Sequence, residues 1–200
     1  MSNLSSTGYF LIALGVVVLM GLWIVIKAYN SLVAMDQRAK QALSDIDVQM
    51  KQRHDVIPNL VEVVKGYATH EREALEAVVN ARSGALAPKQ SVAEQARSEN
   101  ILTEALGKLF ALSEAYPDLK ANVNFRQLQD ELATIENKIA ASRRFYNNAV
   151  SEFNTFMDLF PVNLFSRSLF GFKTKEFFDL EGQRAEVSAP PSISFSRDKT

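Results

Sequence analysis

The chain opens with an unbroken apolar run and then settles into a three-and-four repeat of apolar positions that lasts most of its length. Tyr9 to Ile26, YFLIALGVVVLMGLWIVI, holds no charged residue, and neither does the stretch before it. At about 1.5 Å per residue this run spans roughly 27 Å, enough to cross a bilayer core. Tyr9 at one end, with Trp23 and Tyr29 at the other, matches the aromatic belts of a membrane span. A cleaved signal peptide would want a basic lead-in, a shorter apolar core and a small-residue cleavage site. Met1 to Gly8 has no Lys or Arg, and Ala28-Tyr29-Asn30 is a poor cleavage site. The pattern therefore predicts an uncleaved anchor over residues 1–27, transmembrane over about 9–26.

Between Trp23 and Ile57 there is neither Gly nor Pro, and Leu32, Ala39, Leu43, Ile46 and Met50 recur at coiled-coil-like spacings. A first helix is expected over about 30–54. His54-Asp55-Val56-Ile57-Pro58 interrupts the repeat, because proline disfavours helical backbone at the residue before it. Asp55 is then an expected N-cap of a second helix. That helix carries Ile57, Leu60, Val61, Val64, Tyr67, Ala68, Leu75, Val78 and Val79 to about Arg82, with the chain making either a hairpin or a kinked rod at Pro58. A third helix starts near Ser91, with Glu94 as capping-box partner, and stops at Pro117. The fourth, from Phe125 through Leu132, Ile139, Tyr146 and Phe153 to Phe160, keeps its seam without a slip. Such stripes need partners to cover them. The predicted fold is all-α: an N-terminal transmembrane helix followed by an antiparallel four-helix bundle with long helices over 28–160. A Phe-rich segment follows over 161–180, and a flexible polar tail over 181–200.

Composition narrows the chemistry. With 22 basic and 23 acidic residues, net −1, the chain has no basic footprint for nucleic acid. It has no cysteine, so thiolate metal sites, thiol nucleophiles and disulfides are excluded. No GxSxG, Walker loop or GxGxxG is present. The two histidines, His54 and His70, would lie about 24 Å apart and about 160° around a common helix. Neither belongs to an HExxH or a Glu-x-x-His motif, so no metal, catalytic residue or cofactor is expected. Asp45, Asp47, Arg53, His54, Asp55, Asn59, Glu62 and His70 form a candidate polar patch. They serve either as helix-surface and bundle-end pairing or as a surface for a partner. Asn147, Asn148 and Asn154 are further candidates for hydrogen bonds between helices.

Eight of the thirteen phenylalanines fall between Phe153 and Phe178. In an up–down–up–down bundle the fourth helix returns toward the membrane, which would set this segment beside the bilayer. Phe165, Phe170, Phe172, Phe177 and Phe178 would enter the interface while Arg167, Lys173 and Lys175 meet headgroups. The alternatives are that the rings cap the open end of the bundle or face a protein partner. Lys27, Arg38, Lys40, Lys51 and Arg53 all follow the span, which puts the N-terminus outside and the bundle in the cytoplasm by the positive-inside rule.

YNSLV (29–33), DIDVQMKQRHDVIPNLVEVVKGYATHE (45–71), LEAVVNAR (75–82), FYNNAVSEFNT (145–155) and FPVNLFSRSLFGFKTKEFF (160–178) together resemble the LemA family of bacterial membrane proteins. That resemblance covers about 25–180 and implies one anchor, a four-helix bundle and a place in bacterial membrane organisation, the magnetosome membrane included. It implies no enzymatic activity. Some members carry a lipid-modified cysteine in place of the anchor, a route closed to a chain without cysteine. The expected role is a self-associating scaffold or adaptor of the inner membrane, contacting the lipid bilayer, with a membrane-protein partner as a further candidate contact. The alternatives are a regulatory partner of a membrane enzyme such as a protease, and an unrecognised enzyme.

Overall fold

The computed structural model describes residues 6–68 and 70–178. Among them are five α-helices: α1 (Ser6–Tyr67), α2 (Arg72–Leu86), α3 (Val92–Ser113), α4 (Pro117–Ala121) and α5 (Val123–Asp158). A 3-10 turn, Val162–Leu164, follows, and no strand occurs among the described residues. The all-α expectation holds. The tail expected from 181 lies outside the described residues, as do Asp179 and Leu180 of the Phe-rich segment.

The division of the helices differs from the expectation. The first predicted helix does not end at 54: with the span before it and the first part of the second predicted helix, up to Tyr67, it forms one helix, and the chain turns not at Pro58 but after Ala68, where the Glu71 amide donates to the Ala68 carbonyl at 3.1 Å. Asp55 is mid-helix and exposed, so it caps nothing. The physical reason sits four residues before the proline. Pro58 has no amide to donate to the His54 carbonyl, and Arg82 Nε of α2 donates to that carbonyl instead, at 2.9 Å. With the orphaned acceptor satisfied and the Pro58 ring on the exposed face, the helix continues. Its seam stays in phase as well: Leu32, Ala39, Ala42, Ile46, Met50, Ile57, Leu60 and Val64 are all buried at spacings of helical sense.

The described residues form two compact units, His54–Ala133 with Phe177 and Phe178, and the described residues up to Arg53 with Thr134–Glu176. The first of these is an up–down–up–down bundle. Arg82 near the end of α2 lies on His54; Glu99 in α3 meets His54 and Tyr116 beyond α3 meets Glu71; Asn122 before α5 meets Tyr67. Each of α2, α3 and α5 therefore reverses the long helix before it. Ile57, Leu60 and Val64 of α1 pack with Val78, Leu102, Leu106, Leu109, Leu119, Phe125 and Leu132. Ser91 caps α3 as expected, its hydroxyl accepting from the Glu94 amide, and the Glu94 carboxylate accepts from the Gln90 amide. Asn122 does the same for α5 through the Phe125 amide. Pro117 opens the short α4 where only a stop was expected, which suits a residue with no amide to place in a first turn.

In the other unit α1 and α5 are antiparallel, in a register set by Arg38 with Glu152 at 3.1 Å and Arg53 with Glu136 at 2.7 Å. Ala28 and Leu32 of α1 pack against Phe153, Met157 and Val162. The apolar residues from Tyr9 to Ile26 extend beyond this pair and are exposed, and the helix is long and apolar enough to cross a membrane.

Replacing Arg82 by Ala strands the His54 carbonyl and is expected to cost about 1–3 kcal/mol of stability. In a Pro58→Ala background the restored amide takes that carbonyl, so the same change should cost at least about 1 kcal/mol less, a coupling that a double-mutant cycle reads from denaturant unfolding of the detergent-solubilised protein. Equal costs in both backgrounds would show that Arg82 works elsewhere.

Candidate functional site

Two groups of side chains carry chemistry that the packing alone does not require. The first surrounds His54, which is 4% exposed. Its Nε2 lies 2.9 Å from Oε1 of Glu99, itself 1% exposed. The Thr103 hydroxyl donates to the Glu99 carbonyl one turn along α3. The ring thus ties α1 to α3 while the carbonyl of the same residue ties α1 to α2. His70 is exposed in the turn after α1. Thirteen residues of α1 separate His54 from the helix end, about 20 Å of rise, so the imidazoles do not meet. Among the described residues no group of three His, Asp or Glu side chains could hold a metal ion. A groove of about 570 Å³ lies in this unit between α2 and α3, lined by Ala77, Ala81, Gly84, Ser98, Ile101 and Ala105 among others. Neither His54 nor Glu99 lines it.

The second group runs along the α1–α5 pair. Arg53 is 1% exposed, and burial pushes its guanidinium below its ordinary value while the Glu136 carboxylate pulls it back. Arg143 is likewise lowered by burial, with Glu136 opposing and Arg53 adding to the shift. Beyond α5 the chain folds into a compact loop and then a strap. The Ser166 hydroxyl donates to the Met157 carbonyl in the last turn of α5, and the Phe172 amide donates to the Ser166 carbonyl. Amides of Asn163, Ser166 and Leu169 donate to carbonyls of Leu159, Val162 and Phe165.

The strap then returns along α5. Asn154 grips its backbone twice, donating to the Lys175 carbonyl at 3.0 Å and accepting from the Lys175 amide at 2.9 Å, and the Tyr146 hydroxyl donates to the Glu176 carbonyl. The Lys175 ammonium sits 2.7 Å from Asp36 of α1 and 5.1 Å from the centre of the Phe153 ring. Burial raises the Asp36 carboxyl, but the hydrogen bonds and charges of Lys175 and Lys40 outweigh it and hold the group below its ordinary value.

The expected polar patch therefore divides. Arg53 and His54 face inward, whereas Asp45, Asp47, Asp55, Asn59, Glu62 and His70 face out, Glu62 lying 3.9 Å from Lys65. The Phe-rich residues divide too. Phe165, Phe170 and Phe172 pack on the Ala28–Leu32 face of α1, with the Tyr29 ring 5.0 Å from Phe170, so they cap the helix pair. Phe178 is buried, and the Lys175 ammonium is paired with Asp36. Phe177, Arg167 and Lys173 remain exposed, Arg167 paired with Asp158 at 2.8 Å. Besides Phe177, the exposed apolar side chains here are Leu159, Phe160, Leu164 and Leu169, none of them among the residues expected at an interface. Glu99, Arg82, Glu136 and Asp36 were also missed, since their partners lie far away in the sequence.

A family profile described as LemA family matches residues 42–195. The chain belongs to the LemA family. Its relatives include "Magnetosome protein MamQ 2" of Paramagnetospirillum magneticum, 25% identical over 175 residues, covering 75% of this chain and 64% of that protein. "Magnetosome protein MamQ" of Magnetospirillum gryphiswaldense is 23% identical with the same coverage. "Protein LemA" of Metamycoplasma hominis is 26% identical over 158 residues, 79% of this chain and 72% of that one. The chain thus spans a little under two thirds of the length of the MamQ relatives.

Two outcomes follow for this LemA-family site. Glu99→Ala, which leaves a buried imidazole nitrogen facing a void, is expected to cost about 1–3 kcal/mol, and Glu99→Gln less, because the amide can still meet the ring; denaturant unfolding measures both. The second outcome concerns pH. Asp36 is depressed on folding, so its contribution to holding the strap is complete above the ordinary carboxyl pKa of about 3.9 and disappears as pH falls through the lower folded value. Exchange of the Lys175 amide, corrected for its intrinsic rate, should stay flat from neutral pH to about pH 4 and accelerate below. Asp36→Asn should accelerate it at neutral pH too.

Proposed function

We propose that this chain is a non-enzymatic, membrane-anchored scaffold or adaptor of the bacterial inner membrane that self-associates through its bundle. The anchor is the apolar part of α1. The observation that carries the reading is the groove between α2 and α3. Ala77, Ala81, Gly84 and Ala105 line it, and the large apolar Ile101 stands 60% exposed at its side. Small side chains that let backbones approach, beside an exposed knob, suit a helix of a second copy. The polar residues fit the same reading: His54 with Glu99 and Arg53 with Glu136 are structural pairs, and neither pair opens onto that groove. The magnetosome proteins among the relatives support a role in membrane organisation. The basic residues that follow the span support an N-terminus outside and a bundle in the cytoplasm.

Because the chain has no cysteine, Ile101→Cys is a unique handle. Cross-linking it in native membranes with a bifunctional maleimide should give a ladder of self-multiples. A foreign band in constant proportion would instead indicate an adaptor for another membrane protein, such as a protease, and a product that stays monomeric would reject both. On intact spheroplasts an impermeant maleimide should label Ser2→Cys and spare Ile101→Cys; the reverse result inverts the orientation.

A further inference from the structure

We infer that the loop Leu159–Leu169 is a second membrane contact, lying in the interfacial layer of the bilayer beside the base of the span. The inference takes the N-terminal segment to be inserted and does not depend on self-association. The Arg38–Glu152 and Arg53–Glu136 pairs fix the register of α1 against α5, and six residues further along this register Asp158 lies opposite about Leu32. Leu32 and Met157 share a cluster, which agrees. The chain beyond Asp158 therefore continues past Leu32 toward Ile26, the last residue of the apolar run. Six residues of α1 rise about 9 Å. The headgroup zone on one side of a bilayer is about 5–7 Å deep. The loop therefore occupies a layer that must be headgroups or the outermost acyl carbons if the span is inserted.

What the loop presents there fits that layer. Tyr29 of α1 is tied to it by edge contact with Phe170, so the level does not depend on extrapolation alone. Phe160 is 80% exposed, and Leu159, Leu164 and Leu169 are each more than half exposed. In water, four large apolar side chains within eleven residues would be a costly surface; at an interface they are the anchoring face. Arg167 and Lys173 are exposed at the same end and Lys27 directly follows the run, which suits anionic headgroups. The buried rings, Phe165, Phe170 and Phe172, support the loop from behind.

The test uses the full chain in vesicles of phosphatidylethanolamine and phosphatidylglycerol. Single cysteines replace Phe160, Leu164, Asp45 or Leu19, each carrying the environment-sensitive NBD fluorophore. Labels at 160 and 164 should be blue-shifted and quenched several-fold more by lipids brominated high on the acyl chain than the label at 45, while the label at 19 is quenched best by deep bromines. A deep label at 19 with water-like labels at 160 and 164, in protein of unchanged helicity, would overturn the loop contact and leave the anchor standing. A label at 19 outside the bilayer would overturn both. Labels at 160 and 164 that are shielded in native membranes but water-like in these vesicles would assign the face to a protein and overturn the lipid contact.

Discussion

The carbonyl of His54 has no amide to bond within its own helix, because position 58 is a proline, and the side chain of Arg82 supplies the missing donor. Much of the architecture follows from this one hydrogen bond. An unsatisfied acceptor at a nearly buried residue, next to a ring that crowds the preceding turn, is enough to bend or end a helix. With the acceptor satisfied, α1 continues to Tyr67 and delivers Ile57, Leu60 and Val64 into the bundle core in phase with Leu32, Ile46 and Met50 before them. His54 then serves two neighbours at once, α2 through its carbonyl and α3 through its ring. Buried polar residues of this kind are expensive unless satisfied, and here they set which helices meet and in what register.

In the unit built on α1 and α5 the same economy is applied to the chain after α5. Asn154 and Tyr146 bond the backbone of the strap, while Lys175 enters a niche made by Asp36 and the face of Phe153. A two-helix pair has little interior, and this strap provides a third wall over part of it. Phe165, Phe170 and Phe172 are consequently structural side chains, and the work of meeting the surroundings falls to the leucines and to Phe160.

What could be read from the sequence was what is periodic and local. The seam of α5, the Ser91–Glu94 cap and the apolar run need only neighbours three or four residues apart, and all were legible. The break at Pro58 was misplaced because the rule about proline is local while its remedy, Arg82, lies on another helix. The true turn at 68–71 has no proline, and a single glycine before it, Gly66, gave little warning. Among the aromatic residues, composition picked out a Phe-rich segment but not which rings pack inward: that depends on how the loop closes through Ser166, a long-range fact. Arg53 and His54 were grouped in a polar patch, as pairing at the helix surface or bundle end or as a surface for a partner, and their carboxylate partners could not be named because Glu136 and Glu99 stand far off in the chain.

The closure of that loop also bears on where it can reside. Helices ordinarily end with free carbonyls that look for water. The end of α5 does not depend on it to the usual degree: the Ser166 hydroxyl takes the Met157 oxygen, and successive amides of the loop fold back onto oxygens of Leu159, Val162, Phe165 and Ser166. Backbone that settles its polar groups internally loses little when the dielectric around it drops. The loop therefore supplies part of its own solvation, which lowers the cost for a non-helical stretch of chain to sit where water is scarce.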